Sequence, residues 1–253
     1  MSNGYEFLSL QGASHLARNL TNGTKILREL GNQTGVKLTI SSETFARYES
    51  KSGKRQKIGE WTKTRDVELE ITMDEQKQED IALAFQAEIK EIATSNIQDK
   101  NLGIGLKVGD IVKLDGFNIS DLMISDSKAV TPTELIEGQH YSYDASFGKV
   151  QILDITGLTQ PLIADYTTGD AKATVIFSMP DDAEYYYLFE GINSINDKKL
   201  ALELWRFKPS VNGEMDFINE ETGEISIKGS ALADATKQQD EKLGGFGRIV
   251  YLD

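Results

Sequence analysis

The sequence predicts a mainly β protein, and three observations carry that prediction. Apolar and polar residues alternate over many short stretches. Turn pairs such as Asp115-Gly116, Glu137-Gly138 and Phe147-Gly148 recur between those stretches, and a single segment has helical periodicity. A hydrophobic share of 39% over 253 residues suffices for a packed core, and the length fits one large β domain or two smaller ones.

From the N-terminus, Phe7–Leu20 reads as a strand, with Leu8, Leu10 and Leu16 interleaved with polar and small residues. Thr21-Asn22-Gly23-Thr24 is a tight turn, because Asn-Gly tolerates the positive φ such turns need. Lys25–Leu30 is the expected return strand, and Gly31–Gly35 is a loop.

A long hairpin comes next, with arms at Val36–Tyr48 and Trp61–Met73. Val67, Leu69, Ile71 and Met73 alternate with Asp66, Glu68, Glu70 and Thr72, while Val36, Leu38 and Ile40 alternate with Lys37, Thr39 and Ser41. Such alternation marks strands with one buried face. Farther out, Ser42–Thr44 and Thr62–Arg65 offer little apolar cover, apart from nearby Phe45, Tyr48 and Trp61. The near halves of the arms therefore belong on a core and the far halves leave it. The tip and its flanks carry Arg47, Lys51, Lys54, Arg55, Lys57, Lys63 and Arg65, interrupted by Glu49 and Glu60. These cations are the candidate contact site. The pattern suits a mobile hairpin with a solvated charge cluster as well as a loop that touches a neighbour.

Gln76–Ile92 is the expected helix. Ile81, Phe85, Ile89 and Ile92 fall on one stripe with Ala84 beside them, and Thr72 with Glu75, or Asp74 alone, caps its start. The stripe belongs against a sheet.

Ser95–Lys107 is polar and Gly-bearing and reads as a boundary. Beyond it, Ile111–Leu114, Leu122–Ser125, Gln139–Tyr143, Lys149–Leu153 and Leu162–Tyr166 form a compact antiparallel module, near the lower size at which a domain folds alone. Strands resume at Ala173–Met179, Glu184–Ile192, Lys199–Lys208, Glu224–Ala233 and Phe246–Leu252, with Thr236–Leu243 as an exposed loop or short helix. In Lys199–Lys208, Leu200, Leu202, Leu204 and Arg206 share one side, and Ala201, Glu203, Trp205 and Phe207 the other; a strand with two partly apolar faces is a central one. The expected organisation is a β domain made of residues 1–105 and 172–253, with a β-rich module at 106–171 inserted into it.

The chain has no cysteine, which excludes disulfides, thiolate metal sites and cysteine nucleophiles. His15 and His140 lie far apart and supply no ligand pair. Gly103-Ile104-Gly105 with Gly109 misses the dinucleotide spacing by one residue and lacks the helix that should come after it. No P-loop, nucleophile elbow or calcium loop occurs, and no spacing selects a carboxylate pair. No catalytic set, cofactor or metal is expected, and the chain is expected not to be an enzyme. The formal net charge of −13 disfavours stable binding of nucleic acid by the chain as a whole. No run approaches the ~18–20 apolar residues of a membrane helix, and Met1–Leu10 does not read as a secretory signal, so no membrane partner is expected. Tyr185-Tyr186-Tyr187 places Tyr186 opposite its two neighbours. That suits a strand buried on one side and at an interface on the other, or a platform for sugar rings.

Three stretches stand in a characteristic order. Leu30-Gly31-Asn32 precedes the strand Val36–Tyr48, the turn Glu49-Ser50-Lys51-Ser52-Gly53-Lys54 and a return strand ending in Met73-Asp74-Glu75. Glu79-Asp80-Ile81-Ala82-Leu83-Ala84-Phe85 is the second, and Leu188-Phe189-Glu190-Gly191-Ile192-Asn193 before Leu202-Glu203-Leu204-Trp205-Arg206 is the third. In this order they resemble the major tail tube proteins of long-tailed, siphovirus-like bacteriophages. Gly138–Asp144, leading into Phe147–Ile152, resembles the β-module inserted in some of them.

The resemblance implies a tail-tube-type β-sandwich or barrel with one flanking α-helix, a long projecting β-hairpin and an inserted small β domain. It implies a structural virion protein: homo-hexameric rings stacked head to tail into the tail tube, a conduit for DNA passage into the host. Such a subunit would assemble in the host cytoplasm, meet other tail proteins and let double-stranded DNA pass through the lumen without specific binding. The cationic hairpin would contact the adjacent ring, and the inserted module would project outward. Two further readings are a tube subunit of a contractile secretion apparatus, which shares this kind of fold, and a carbohydrate-binding or adhesin module using the Tyr185–Tyr187 face.

Overall fold

A computed structural model describes residues 7–18, 24–211, 214–220 and 222–252. The turn expected at Thr21-Asn22-Gly23-Thr24 lies outside the described residues except for Thr24. In chain order the elements are β1 (Leu10–Arg18), β2 (Arg28–Glu29), β3 (Gln33–Tyr48), β4 (Lys57–Met73), the helix α1 (Gln78–Ala84), β5 (Glu88–Ile92), β6 (Ser95–Asn101), β7 (Ile111–Lys113) and β8 (Ser120–Ser125). They continue with β9 (Tyr141–Asp144), β10 (Lys149–Ile152), β11 (Ile163–Thr168), β12 (Ala171–Val175), β13 (Tyr185–Asn193), β14 (Lys199–Ser210), β15 (Ile225–Ala231) and β16 (Gly247–Leu252). The fold is mainly β, in several antiparallel sheets.

The chain divides into two compact units, one within Met1–Glu88 and Thr174–Asp253, the other Ile89–Ala173. The second begins well before residue 106, because Ser95–Lys107 is not a connector. Its first half is β6, which pairs with one edge of β11 while β8 takes the other. β6 is hard to read as a strand since Ile97 is its one large apolar residue.

In the first unit the sheet order is β2-β1-β13-β14-β15-β4-β3, with β16 also on β14. β14 is the seam. One edge pairs with β13, while the other is shared: Lys199–Leu204 lie opposite β16, and Phe207–Ser210 lie opposite β15. Leu69, Ile71 and Met73 of β4 and Ile225 and Ile227 of β15 form one core with Tyr187, Phe189, Leu202 and Leu204.

The β13–β14 ladder shifts register between Tyr185 and Tyr187, so β14 carries an extra residue there. A bulge of this kind reverses the facing of the residues beyond it. Phe207 therefore joins Leu204 in the core, its ring centroid 6.2 Å from that of Tyr187, instead of sharing a side with Trp205 as strict alternation predicts. The bulge brings β15 in close. A Cβ on Gly229 would lie 2.4 Å from the Lys208 carbonyl oxygen and 2.6 Å from the Phe207 ring, so this position requires glycine.

The helix is shorter than its apolar stripe predicts. The chain leaves it at Phe85, Gln86 takes φ 47°, and β5 starts at Glu88, so Ile89 and Ile92 are strand residues. Neither Thr72 nor Asp74 caps it; Lys77 is the N-cap and supplies no side-chain hydrogen bond. Ala82, Leu83 and Ala84 are buried, and so is Asp80. Asp80 accepts hydrogen bonds from the Arg28 guanidinium at 2.5 Å and the Gly31 N–H at 3.0 Å, tying the segment before β3 to the helix.

In the second unit two three-stranded sheets, β7-β10-β9 and β6-β11-β8, share a core of Leu114, Ile124, Val150, Ile152, Leu162 and Tyr166. Asp126, buried at the end of β8, accepts from the N–H groups of Thr133 (2.6 Å) and Thr159 (3.1 Å) and pairs with Lys128 at 3.2 Å. Burial pushes its carboxyl up, but the backbone donors and the ammonium outweigh burial and hold it at about 2.

Candidate functional site

The hairpin arms pair from Gln33 and Met73 out to Tyr48 and Lys57. β15 lies beside β4 only between Val67 and Met73, and no strand pairs with the other edge of β3 among the described residues. From Asp66 outward the two arms are thus a bare two-stranded ribbon, roughly 25 Å long at ~3.3 Å per residue. Register shifts between Glu43 and Thr44 and between Arg47 and Tyr48 make Lys63 and Ile58 the extra residues of two bulges, which increase the ribbon's twist.

All seven predicted cations, from Arg47 to Arg65, are exposed. Lys51, Lys54 and Arg55 sit in the turn at 49–56 and Lys57 opens β4, so these four gather at the tip. Arg47 lies opposite Gly59, Arg65 lies farther back opposite Ser42, and Lys63 is at the inner bulge. Lys57 pairs with Glu60 at 2.7 Å and Lys63 with Glu43 at 3.3 Å. The hydrogen bonds from Lys57 and Thr44 hold the Glu60 carboxyl below its ordinary value. Arg47, Lys51, Lys54, Arg55 and Arg65 have no ion pair among the described residues.

The ribbon also carries a feature that composition did not reveal. Phe45 and Trp61 are directly opposite each other and stack, with centroids 6.4 Å apart and planes at 27°. They remain 59% and 56% exposed. Gly59 leaves room for the indole, since a Cβ there would come within 2.5 Å of it. Phe45 is an odd number of residues from Ile40, so the pair lies on the face away from the core, together with Arg47. The missing signal was the register, which no single strand's pattern contains.

A second open edge belongs to β16, which among the described residues pairs with β14 alone. Its Ile249 and Tyr251 line a groove of about 590 Å3 with Val36, Leu38, Phe189 and Leu202.

On the outer face of the same sheet, Tyr186 and Trp205 stack with centroids 6.2 Å apart. The Lys25 ammonium lies 3.3 Å from the centre of the Tyr186 ring. Tyr186 donates to Glu203 at 2.5 Å, Arg248 donates to the same carboxylate at 2.6 Å, and the Trp205 indole donates to the Gly244 carbonyl at 2.9 Å. Burial pushes the Lys25 ammonium down and, with Glu203, the Tyr186 hydroxyl up. Tyr186 and Tyr187 are both buried, on opposite faces, so the tyrosine run presents no open platform. Farther along the outer face a shallow trough of about 560 Å3 is lined by Ala13, Leu188, Glu190, Ile192, Ala201 and Leu252.

Among the described residues no group of three His, Asp or Glu side chains is placed to hold a metal ion. His15 and His140 fall in different units, and His140 Nδ1 accepts from the Ile136 N–H at 2.9 Å. No helix among the described residues is long and apolar enough to cross a membrane.

No curated protein matches the chain. A family described as "Protein of unknown function UCP028589" matches residues 7–250, which takes in every strand of both units almost to the end of β16. With nearly its whole length matched, the chain belongs to the family UCP028589.

Proposed function

We propose that the protein is a structural subunit that forms homo-hexameric rings, stacked head to tail as the tail tube of a long-tailed bacteriophage. The observation that carries this reading is the bare ribbon beyond Val67, with its exposed aromatic pair and unpaired cations. A two-stranded ribbon is marginal in water by itself, and cations without counter-charges call for an acidic neighbour, which a chain of net charge −13 supplies. In a stack the ribbon of one ring rests on the next. A contact between two unlike surfaces repeats from copy to copy, giving a ring when the rotation closes and a filament when it does not.

The free edges of β3 and β16 support lateral contacts within a ring, because unpaired rows of N–H and C=O groups template strand pairing with a neighbour. The order of motifs that resembles tail tube proteins supports the same reading. The acidic balance supports a lumen that repels phosphate, so that double-stranded DNA passes without specific binding. On this reading the subunit assembles in the host cytoplasm, resides in the virion and meets other tail proteins along the tail. Negative-stain electron microscopy of the purified protein over a concentration series tests it. Rings and tubes are the expected result, and a dispersed monomer at high concentration overturns the proposal.

A further inference from the structure

We infer that the stacked Phe45–Trp61 pair docks into the outer-face trough around Glu190 of a second copy of this chain. The inference rests on the assembly reading above and names the surface that receives the ribbon.

The donor side is defined by exposure. Both rings are more than half accessible, although they sit on a ribbon whose neighbours are mostly polar, and nothing among the described residues of their own copy covers them. Large aromatic residues held rigid in such a setting are the usual anchors of interfaces. Arg47 comes two residues after Phe45 on the same face, about 7 Å farther along the strand, and has no ion pair among the described residues.

The receiving side matches in shape and charge. Ala13, Glu190 and Ala201 are aligned across β1, β13 and β14, so methyl groups flank the carboxylate on both sides and leave a recess. Leu188 and Ile192 stand two residues either way along β13, on the same face, and Leu252 closes the end. Glu190 is exposed and has no ion pair among the described residues. Lys199 lies at the margin, beside Ile192. Flat aromatic rings fill a floor of alanines flanked by aliphatic walls, and the Arg47 guanidinium then meets Glu190 at the rim. Nucleic acid suits the trough poorly, since Glu190 would face phosphate. The contact joins two unlike surfaces and so propagates from copy to copy.

The absence of cysteine makes the test specific. Phe45→Cys and Ala201→Cys variants of the full chain are mixed and oxidised, with Glu190→Cys as a second partner if Ala201→Cys does not fold. A disulfide requires Cα atoms within about 7 Å, so a mixed 45–201 or 45–190 dimer at least tenfold above a Phe45→Cys with Ser230→Cys control is expected. Arg47→Glu should abolish the dimer, and Glu190→Arg in the Ala201→Cys partner should restore it. In a Trp205→Phe background, the Trp61 emission should shift to the blue as the protein assembles. Tubes that form without either disulfide overturn the docking surface and leave the tube reading standing. A mixed disulfide without rings or tubes upholds the docking surface and overturns the tube reading. Assembly is read on the unsubstituted chain, and the absence of assembly there together with the absence of a disulfide overturns both.

Discussion

Arg28 and Asp80 form an ion pair at 2.5 Å in which the carboxylate is fully enclosed while the guanidinium still reaches solvent. The second carboxylate oxygen takes the Gly31 N–H, so one side chain holds the chain entering the hairpin against the helix. Replacing Asp80 by Ala leaves a buried N–H without an acceptor and a cation without its partner. A loss of about 3 kcal/mol is expected, read as a lower midpoint in urea unfolding of the full chain. Asp80→Asn keeps an acceptor and should lose less.

Charge reversal at the tip separates assembly from folding. Lys54→Glu, Arg55→Glu and Lys57→Glu together should leave the thermal midpoint nearly unchanged, because exposed charges contribute only about 1 kcal/mol or less each. The same variant should stack poorly, since a tube repeats the contact at every subunit. Sedimentation and electron microscopy check this. Normal polymerisation at low and moderate salt would show that the tip has no part in assembly.

The Asp126 clamp predicts a pH dependence. Its carboxyl titrates at about 2 in the folded chain, below the ~3.9 of an unfolded aspartate. A depressed value stabilises the fold at pH above the unfolded value, and the contribution disappears as pH falls from about 4 towards 2. Protection of the Thr133 and Thr159 amides against hydrogen exchange, taken relative to their intrinsic rates at each pH, should therefore fall over that window. In Asp126→Asn, this protection should already be lower at neutral pH and should change less on acidification.

Removing Ile89–Ala173 and bridging Glu88 to Thr174 with a short Gly-Ser linker should leave the first unit folded, since its core draws on strands outside the deletion. Circular dichroism and a cooperative melt measure this, and the proposed rings should still form. Collapse of the melt would make the second unit integral to the first.

Much of the ribbon was legible in the amino-acid pattern. Val67, Leu69, Ile71 and Met73 are buried where they alternate with polar residues, and the arms become exposed where that alternation ends. The pattern overreaches by one rung at Ile40, which is 73% exposed: β15 ends opposite Val67, the partner of Ile40, so nothing lies beyond to cover it. Ile89 and Ile92 fit a helical stripe by spacing, yet the positive φ of Gln86 ends the helix first. Phe207 changes sides because of a bulge, which local alternation does not encode. The stacking of Phe45 on Trp61, the recess around Glu190 and the enclosure of Asp80 each depend on residues that meet only through pairing or tertiary packing.

The shared edge of β14 has a mechanical consequence. β16 hangs from β14 along one side, so a pull across the sheet at Leu252 parts the hydrogen bonds one after another, as a zip opens. A pull along β14 itself loads its bonds to β13, β15 and β16 together, and they resist in parallel. The sheet is thus built with β14 as a stiff spine and β16 as a compliant strand on its edge. Under tension that strand comes away first, and the rest of the sheet keeps its register.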